Sequence, residues 1–232
     1  MNAILPLLPS IDRRISTLNE LKRKIESEGI NKIHERKVIT LSREFGCEAY
    51  PLAGVLKEKL EKLTQQPWTI FKEGNIDQIS SESILSGNLS VNFGEQSRYL
   101  EAILSSLLPY WKTEVESYQE VVKTIFSIAH SGHAILVGRG ASAITKDLKN
   151  CFHFRLIGSD EYRAKCYAEK HNVSIKEAEK TVVEKERLRK EFLEHFLGIR
   201  FNSHNFHLIF NRDKIPTDRI VDTIISFLYE LH

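Results

Sequence analysis

The chain has 232 residues, 41% of them hydrophobic and 28% charged, with 33 Lys and Arg against 31 Asp and Glu for a formal net charge of +2. That composition excludes a disordered chain and leaves no strong overall field for nucleic acid or an anionic membrane. The three cysteines, Cys47, Cys151 and Cys166, form no C-x-x-C pair, so neither a disulfide framework nor a zinc site is expected and a reducing, cytoplasmic location fits.

From the N-terminus, Pro6 and Pro9 interrupt a short apolar run with no basic region before it, which does not read as a signal peptide. No apolar run reaches the ~20 residues that span a bilayer, so no membrane partner is expected. Ser10 can cap a helix whose apolar positions Ile11, Ile15, Leu18, Leu21 and Ile25 share one face, with Gly29 as its stop. Residues 1–36 read as a helical extension that packs on the rest of the chain or on a second subunit, as in a homodimer.

From residue 37 strands and helices alternate. KVITLS at 37–42 suits a buried parallel strand, the loop SREFGCEAY follows, and a helix runs from about Pro51 to Leu63. PWTIF at 67–71 is a second short strand, and the Gly-, Ser- and Asn-rich stretch 72–96 is an excursion. Helices are expected at 97–108 and 113–130. Strand HAILVG (133–138) leads into a helix starting within GRGASAITKDL, and strand CFHFRLIG (151–158) into a helix capped by Ser159. A long charged helix at 174–197, a strand FHLIF at 206–210 and a helix opened by Pro216 complete the chain. Alternation of this kind predicts an α/β fold with a central parallel sheet and helices on both faces. Ligands in such folds sit at the carboxyl ends of the strands, where the loops 42–50, 138–142, 158–163 and 211–213 should converge.

Three segments carry residues suited to phosphate chemistry. A strand–loop–helix binds phosphate through consecutive backbone N–H groups and the helix N-terminus, usually with a lysine reaching the outer phosphates. Here Ser42, Arg43 and Gly46 precede the helix, but Glu48, Ala49, Tyr50 and Pro51 stand where glycine, lysine and serine are expected. Without the lysine the pattern is equally that of an ordinary strand–helix turn, and Glu48 should repel phosphate. Arg139 between Gly138 and Gly140 can fork onto a phosphate or a base edge, or form a surface ion pair. The run EKERLRKEF (184–192) is either a solvated face held by i,i+4 pairs or a lid that delivers arginines to a transferring group. His204 and His207 match a metal pair in spacing only, and no metal ligands are assigned.

Together these segments resemble the cytidylate kinase-like family, a branch of the nucleoside-monophosphate kinases on the P-loop kinase scaffold. The family's S-R-E-[FY]-G-S-G-G-R-E is similar to Ser42-Arg43-Glu44-Phe45-Gly46-Cys47-Glu48-Ala49-Tyr50-Pro51 in its first five residues and departs after them. Its strand ending in G-R-G-A matches Gly138-Arg139-Gly140-Ala141, and its E-Y-R-x-K-R matches Glu161 to Lys165 with Cys166 in place of the last arginine. The lid's acid followed three residues later by arginine matches Glu186 and Arg189, and the terminal N-T-[DS] is similar to Asn211-Arg212-Asp213.

The resemblance implies a three-layer P-loop kinase-like domain over 37–232 with a helical lid, and transfer of a phosphoryl group from ATP, with Mg2+, to a nucleoside monophosphate or similar small acceptor. It casts Arg43, Arg163 and Arg189 as catalytic, and Ser42, Gly46, Cys47, Glu48, Ala49, Tyr50, Arg139 and Asn211 as nucleotide-binding. The departures at Glu48, Tyr50 and Cys166 carry a second expectation, a catalytically inactive relative that serves as a binding or regulatory module.

Overall fold

A computed structural model of the chain describes residues 36–76, 79, 112–197 and 203–229. The expected helices at 10–28 and 97–108, and most of the 72–96 excursion, lie outside the described residues. Five strands, β1 (Val38–Arg43), β2 (Thr69–Phe71), β3 (Ala134–Val137), β4 (Cys151–Ile157) and β5 (Leu208–Asn211), form one sheet in the order β2-β3-β1-β4-β5. Every neighbouring pair is parallel, with Val38 opposite both Ala134 and Cys151, so β1 sits at the centre. The helices are α1 (Tyr50–Thr64), α2 (Lys112–Ser131), the four-residue α3 (Ala141–Ile144), α4 (Asp160–His171), α5 (Ile175–Leu197) and α6 (Thr217–Tyr229).

Alternate strand residues face opposite sides, and each side builds its own core. On one, Val38, Ala134, Leu136 and Cys151 pack against Val122, Ile125 and Phe126 of α2. On the other, Ile39, Leu41, Ile135, Val137, Phe154 and Leu156 pack against α1 and α6. The α1 contribution is the Leu52, Ala53, Leu56, Leu60 stripe, spaced by one turn so that one face is apolar. Fully burying each leucine contributes on the order of 2 kcal/mol. A third, smaller seam of Ala164, Ala168 and Ala178 joins α4 to α5.

Local signals set the boundaries. The Ser159 hydroxyl accepts the Tyr162 N–H and opens α4, as the sequence predicts. Helix α1 closes on left-handed Gln65, and the Glu61 carboxylate turns back to accept the Trp68 N–H at 2.9 Å, fixing the approach to β2. Three boundaries differ from expectation, the first being β2, which begins at Thr69 rather than at Pro67. The helix expected from Gly138 is only the single turn α3, and β5 begins at Leu208, just after His207, whose N–H donates to the His153 carbonyl at 2.8 Å. The His207 Nδ1 accepts the His153 N–H at 2.9 Å while its ring packs against Phe152, Phe154 and Phe227.

His153 is itself buried, with Nδ1 2.9 Å from the Thr40 hydroxyl and Nε2 unpartnered. Burial, with His207 beside it, pushes its pKa down to about 4. A base whose pKa falls on folding is neutral in the fold and takes up protons first in the unfolded chain. Its contribution is therefore complete above the unfolded value near 6.5 and is lost as pH falls from there through about 4. Burial lowers the His207 pKa too, so its effect has the same sign. Unfolding by urea should show stability dropping by about 3 kcal/mol between pH 7 and pH 4 through His153, and His153→Gln should flatten that slope. An equal slope in both proteins would remove His153 as its source.

Candidate functional site

The connection from β1 to α1 wraps the carboxyl end of the central strand. Its turn is made by Gly46 at φ +94°, and a Cβ there would come within 2.8 Å of the Arg163 Cβ and carbonyl oxygen. Glycine is therefore required twice, by the backbone angle and by the approach of α4. The Cys47 N–H donates to the Glu44 carbonyl at 3.0 Å and closes the turn. Ala49 supplies no side-chain cap to α1, and Pro51 stands in its first turn.

Five arginines surround this loop, each brought by a different element. Arg163 of α4 is buried beneath it, donating to the Phe45 carbonyl at 3.1 Å and also bonding Asp160. Arg155, at the end of β4, is buried with Nη2 3.7 Å from Glu44 and Nη1 3.4 Å from the Ser42 hydroxyl. Arg189 of α5 reaches down to the Arg43 carbonyl, with its other arm 3.5 Å from the same Ser42 hydroxyl. Burial, with Arg43 and Arg155 nearby, pushes the Arg189 pKa down to about 10, so it is still charged at neutral pH. Glu44 holds the set together: it accepts the Gly158 N–H at 3.1 Å and lies 3.9 Å from Arg163.

The remaining two arginines lie across the end of β3. The Arg43 guanidinium leans against Gly138, at φ +85°, where an added Cβ would sit 2.1 Å from its Nη1. It stands over the Tyr50 ring at 5.6 Å, and Lys72 lies 5.1 Å from that ring's centre. Glu73 pairs with Arg43 at 3.9 Å and with Arg139 at 3.4 Å. Arg139 has left-handed φ of +51° between two glycines that also have positive φ, and its carbonyl accepts the Tyr118 hydroxyl at 3.2 Å. A non-glycine residue in that region costs on the order of 1 kcal/mol, a strain that the flanking structure holds in place.

Of the residues expected at a site, Ser42, Arg43, Gly46, Arg139, Arg163 and Arg189 converge at the carboxyl ends of β1, β3 and β4, and Tyr50 joins them from the start of α1. Glu48 pairs with Lys170 of α4 at 2.8 Å. Cys47 is buried, and burial with the nearby Glu44 pushes its thiol up to about 12, too high for a nucleophile. Asn211 is committed to a turn, its side chain accepting the Asp213 N–H at 2.9 Å while Asp213 accepts the Ser159 N–H. Arg155, Glu44, Lys72 and Glu73 were not singled out by the sequence. A cation inside the apolar strand CFHFRLI is the one available signal, since an arginine buried in a central strand requires a partner.

Among the described residues no group of three or more His, Cys, Asp and Glu is placed to hold a metal ion. Pro51 carries no hydroxyl, and Glu44 is already engaged.

A family model described as the cytidylate kinase-like family matches residues 38–214. Among solved structures, an uncharacterized protein from Eubacterium ventriosum is similar at 17% identity and TM-score 0.59, covering 83% of this chain and 98% of its own. Shikimate kinase from Bacteroides thetaiotaomicron aligns at 11% identity and TM-score 0.45, covering 84% of this chain and 97% of its own. Among curated proteins none matches. No helix among the described residues is long and apolar enough to cross a membrane.

Proposed function

The chain belongs to the cytidylate kinase-like family, with a P-loop kinase-like α/β fold, and from that premise we propose that it transfers a phosphoryl group from ATP to a nucleoside monophosphate or a similar small anionic acceptor. The observation that carries this reading is the convergence of Arg43, Arg139 and Arg189 on the β1–α1 loop. Phosphoryl transfer is catalysed mainly by positioning and by charge placed around the transferring group. In this reading the loop N–H groups and the N-terminus of α1 hold the donor phosphates. Arg189 brings positive charge from α5, where the absent lysine would have supplied it from the loop. Arg43 and Arg139, side by side over β3, orient the acceptor. Arg163 and Arg155 act through the loop they brace, as positioning residues.

A second reading, a binding module without turnover, is favoured by one observation: Ala49, Tyr50 and Pro51 give the start of α1 neither an ammonium nor the aliphatic hydroxyl of a serine or threonine for magnesium. Calorimetry with ATP and with CMP in the presence of Mg2+, followed by an assay of ADP formation across nucleoside monophosphates, separates the two. ADP formation that depends on one acceptor supports transfer. Binding without ADP formation supports the module, and absence of binding to any nucleotide would sink both.

A further inference from the structure

Glu186 is a residue that neither reading uses. It lies on α5 and is 5% exposed, yet it is not part of a self-contained ion pair. Its Oε2 accepts the N–H of Phe45, in the middle of the loop, at 2.8 Å. Arg189 is 3.5 Å from that oxygen, and Lys190 comes only to 4.0 Å of Oε1. Oε1 makes no hydrogen bond although it is buried. A buried carboxylate oxygen left in this state is costly, so a compensating gain is expected at the other oxygen. That gain is the charge-assisted bond from a loop N–H, in surroundings made positive by Arg43, Arg155 and Arg189.

We propose that the Glu186 carboxylate is an internal oxyanion, occupying on the Phe45 N–H the place of a phosphate oxygen and competing with incoming phosphate for it. This rests on the reading of the β1–α1 loop as a phosphate site. Arg189 adds the second half of the latch by bonding the Arg43 carbonyl, so α5 grips the loop on both sides of Glu44. Binding a polyphosphate then requires the carboxylate to leave. The energy released by phosphate on the loop is partly consumed in moving α5, and the departing Glu186 frees Arg189 to follow the ligand. The loop thereby responds to a ligand with enough charge to displace a carboxylate, and a weakly charged anion leaves it shut.

The test uses inorganic pyrophosphate with the full chain. Titration of wild type and Glu186→Gln by calorimetry, with the Phe45 amide followed by NMR, is expected to show binding at least about tenfold tighter in the variant, because one buried negative charge beside the ligand is gone. Equal or weaker binding in the variant overturns the proposal, as does the absence of pyrophosphate binding in both proteins. Should the variant fold poorly, wild type decides alone: saturating pyrophosphate must shift the Phe45 amide resonance, and an unmoved resonance overturns the competition. The two inferences fail separately. ATP turnover in a protein whose Glu186→Gln variant binds pyrophosphate no tighter removes the latch and leaves the transfer. Tighter binding by the variant in a protein that never forms ADP removes the transfer and leaves the latch.

Discussion

Replacing Arg163 with alanine is expected to destabilise the protein by about 1–3 kcal/mol, the cost of leaving a loop carbonyl without its charged donor. The guanidinium donates to the Phe45 carbonyl, bonds Asp160 and lies 3.9 Å from Glu44. Removing it leaves a loop carbonyl without its donor and Glu44 with Arg155 as its remaining nearby cation. Alanine keeps the Cβ and backbone of Arg163 that crowd Gly46, so the loss comes from the guanidinium alone. Urea unfolding should show the midpoint fall with an unchanged slope, the sign of lost stability rather than a changed unfolded state. Arg163→Lys should recover little, because an ammonium cannot reproduce the fork that reaches a carbonyl and a carboxylate together. A loss below about 1 kcal/mol would place the arginine among ordinary surface ion pairs.

Arg189→Ala should act on rate. Where the protein forms ADP, kcat is expected to fall about a thousandfold, the lower end of what an arginine on the transferring group contributes. The KM for ATP should change far less, because the loop N–H groups still hold the donor. A merely structural role gives the reverse split. Losing the bond to the Arg43 carbonyl would loosen the loop, raise KM and leave kcat close to wild type. Steady-state rates over a range of ATP concentrations distinguish the two, and a variant with unchanged kcat would make Arg189 a brace.

Much of the fold was legible in the sequence because its signals are local. Strand and helix periods, the Ser159 cap and the glycines around Arg139 depend on residues a few positions apart. The loop's position followed from the same pattern, since the β1–α1 turn must lie at the carboxyl end of its strand. The electrostatic wiring could not be read that way. Phe45 and Glu186 are 141 residues apart, and Ser42 and Arg155 are 113 apart. No spacing rule connects such pairs; only the order of strands brings them together. For the same reason the pairing of Glu48 with Lys170, on a separate helix, could not be read from spacing. The direction of the Arg43 side chain is likewise set from a distance: it turns across β3 toward Arg139, where Gly138 leaves room for it.

The alanine seam between α4 and α5 bears on how this protein can change over generations. Ala164 and Ala178 are fully buried and Ala168 nearly so, which lets the two helices approach closely. Any larger residue at these three positions must push α5 outward, and with it Glu186 and Arg189. Sequence drift in that seam would therefore retune the grip on the loop without altering any residue that touches it, making small side chains far from the chemistry the places where a lineage adjusts its affinity.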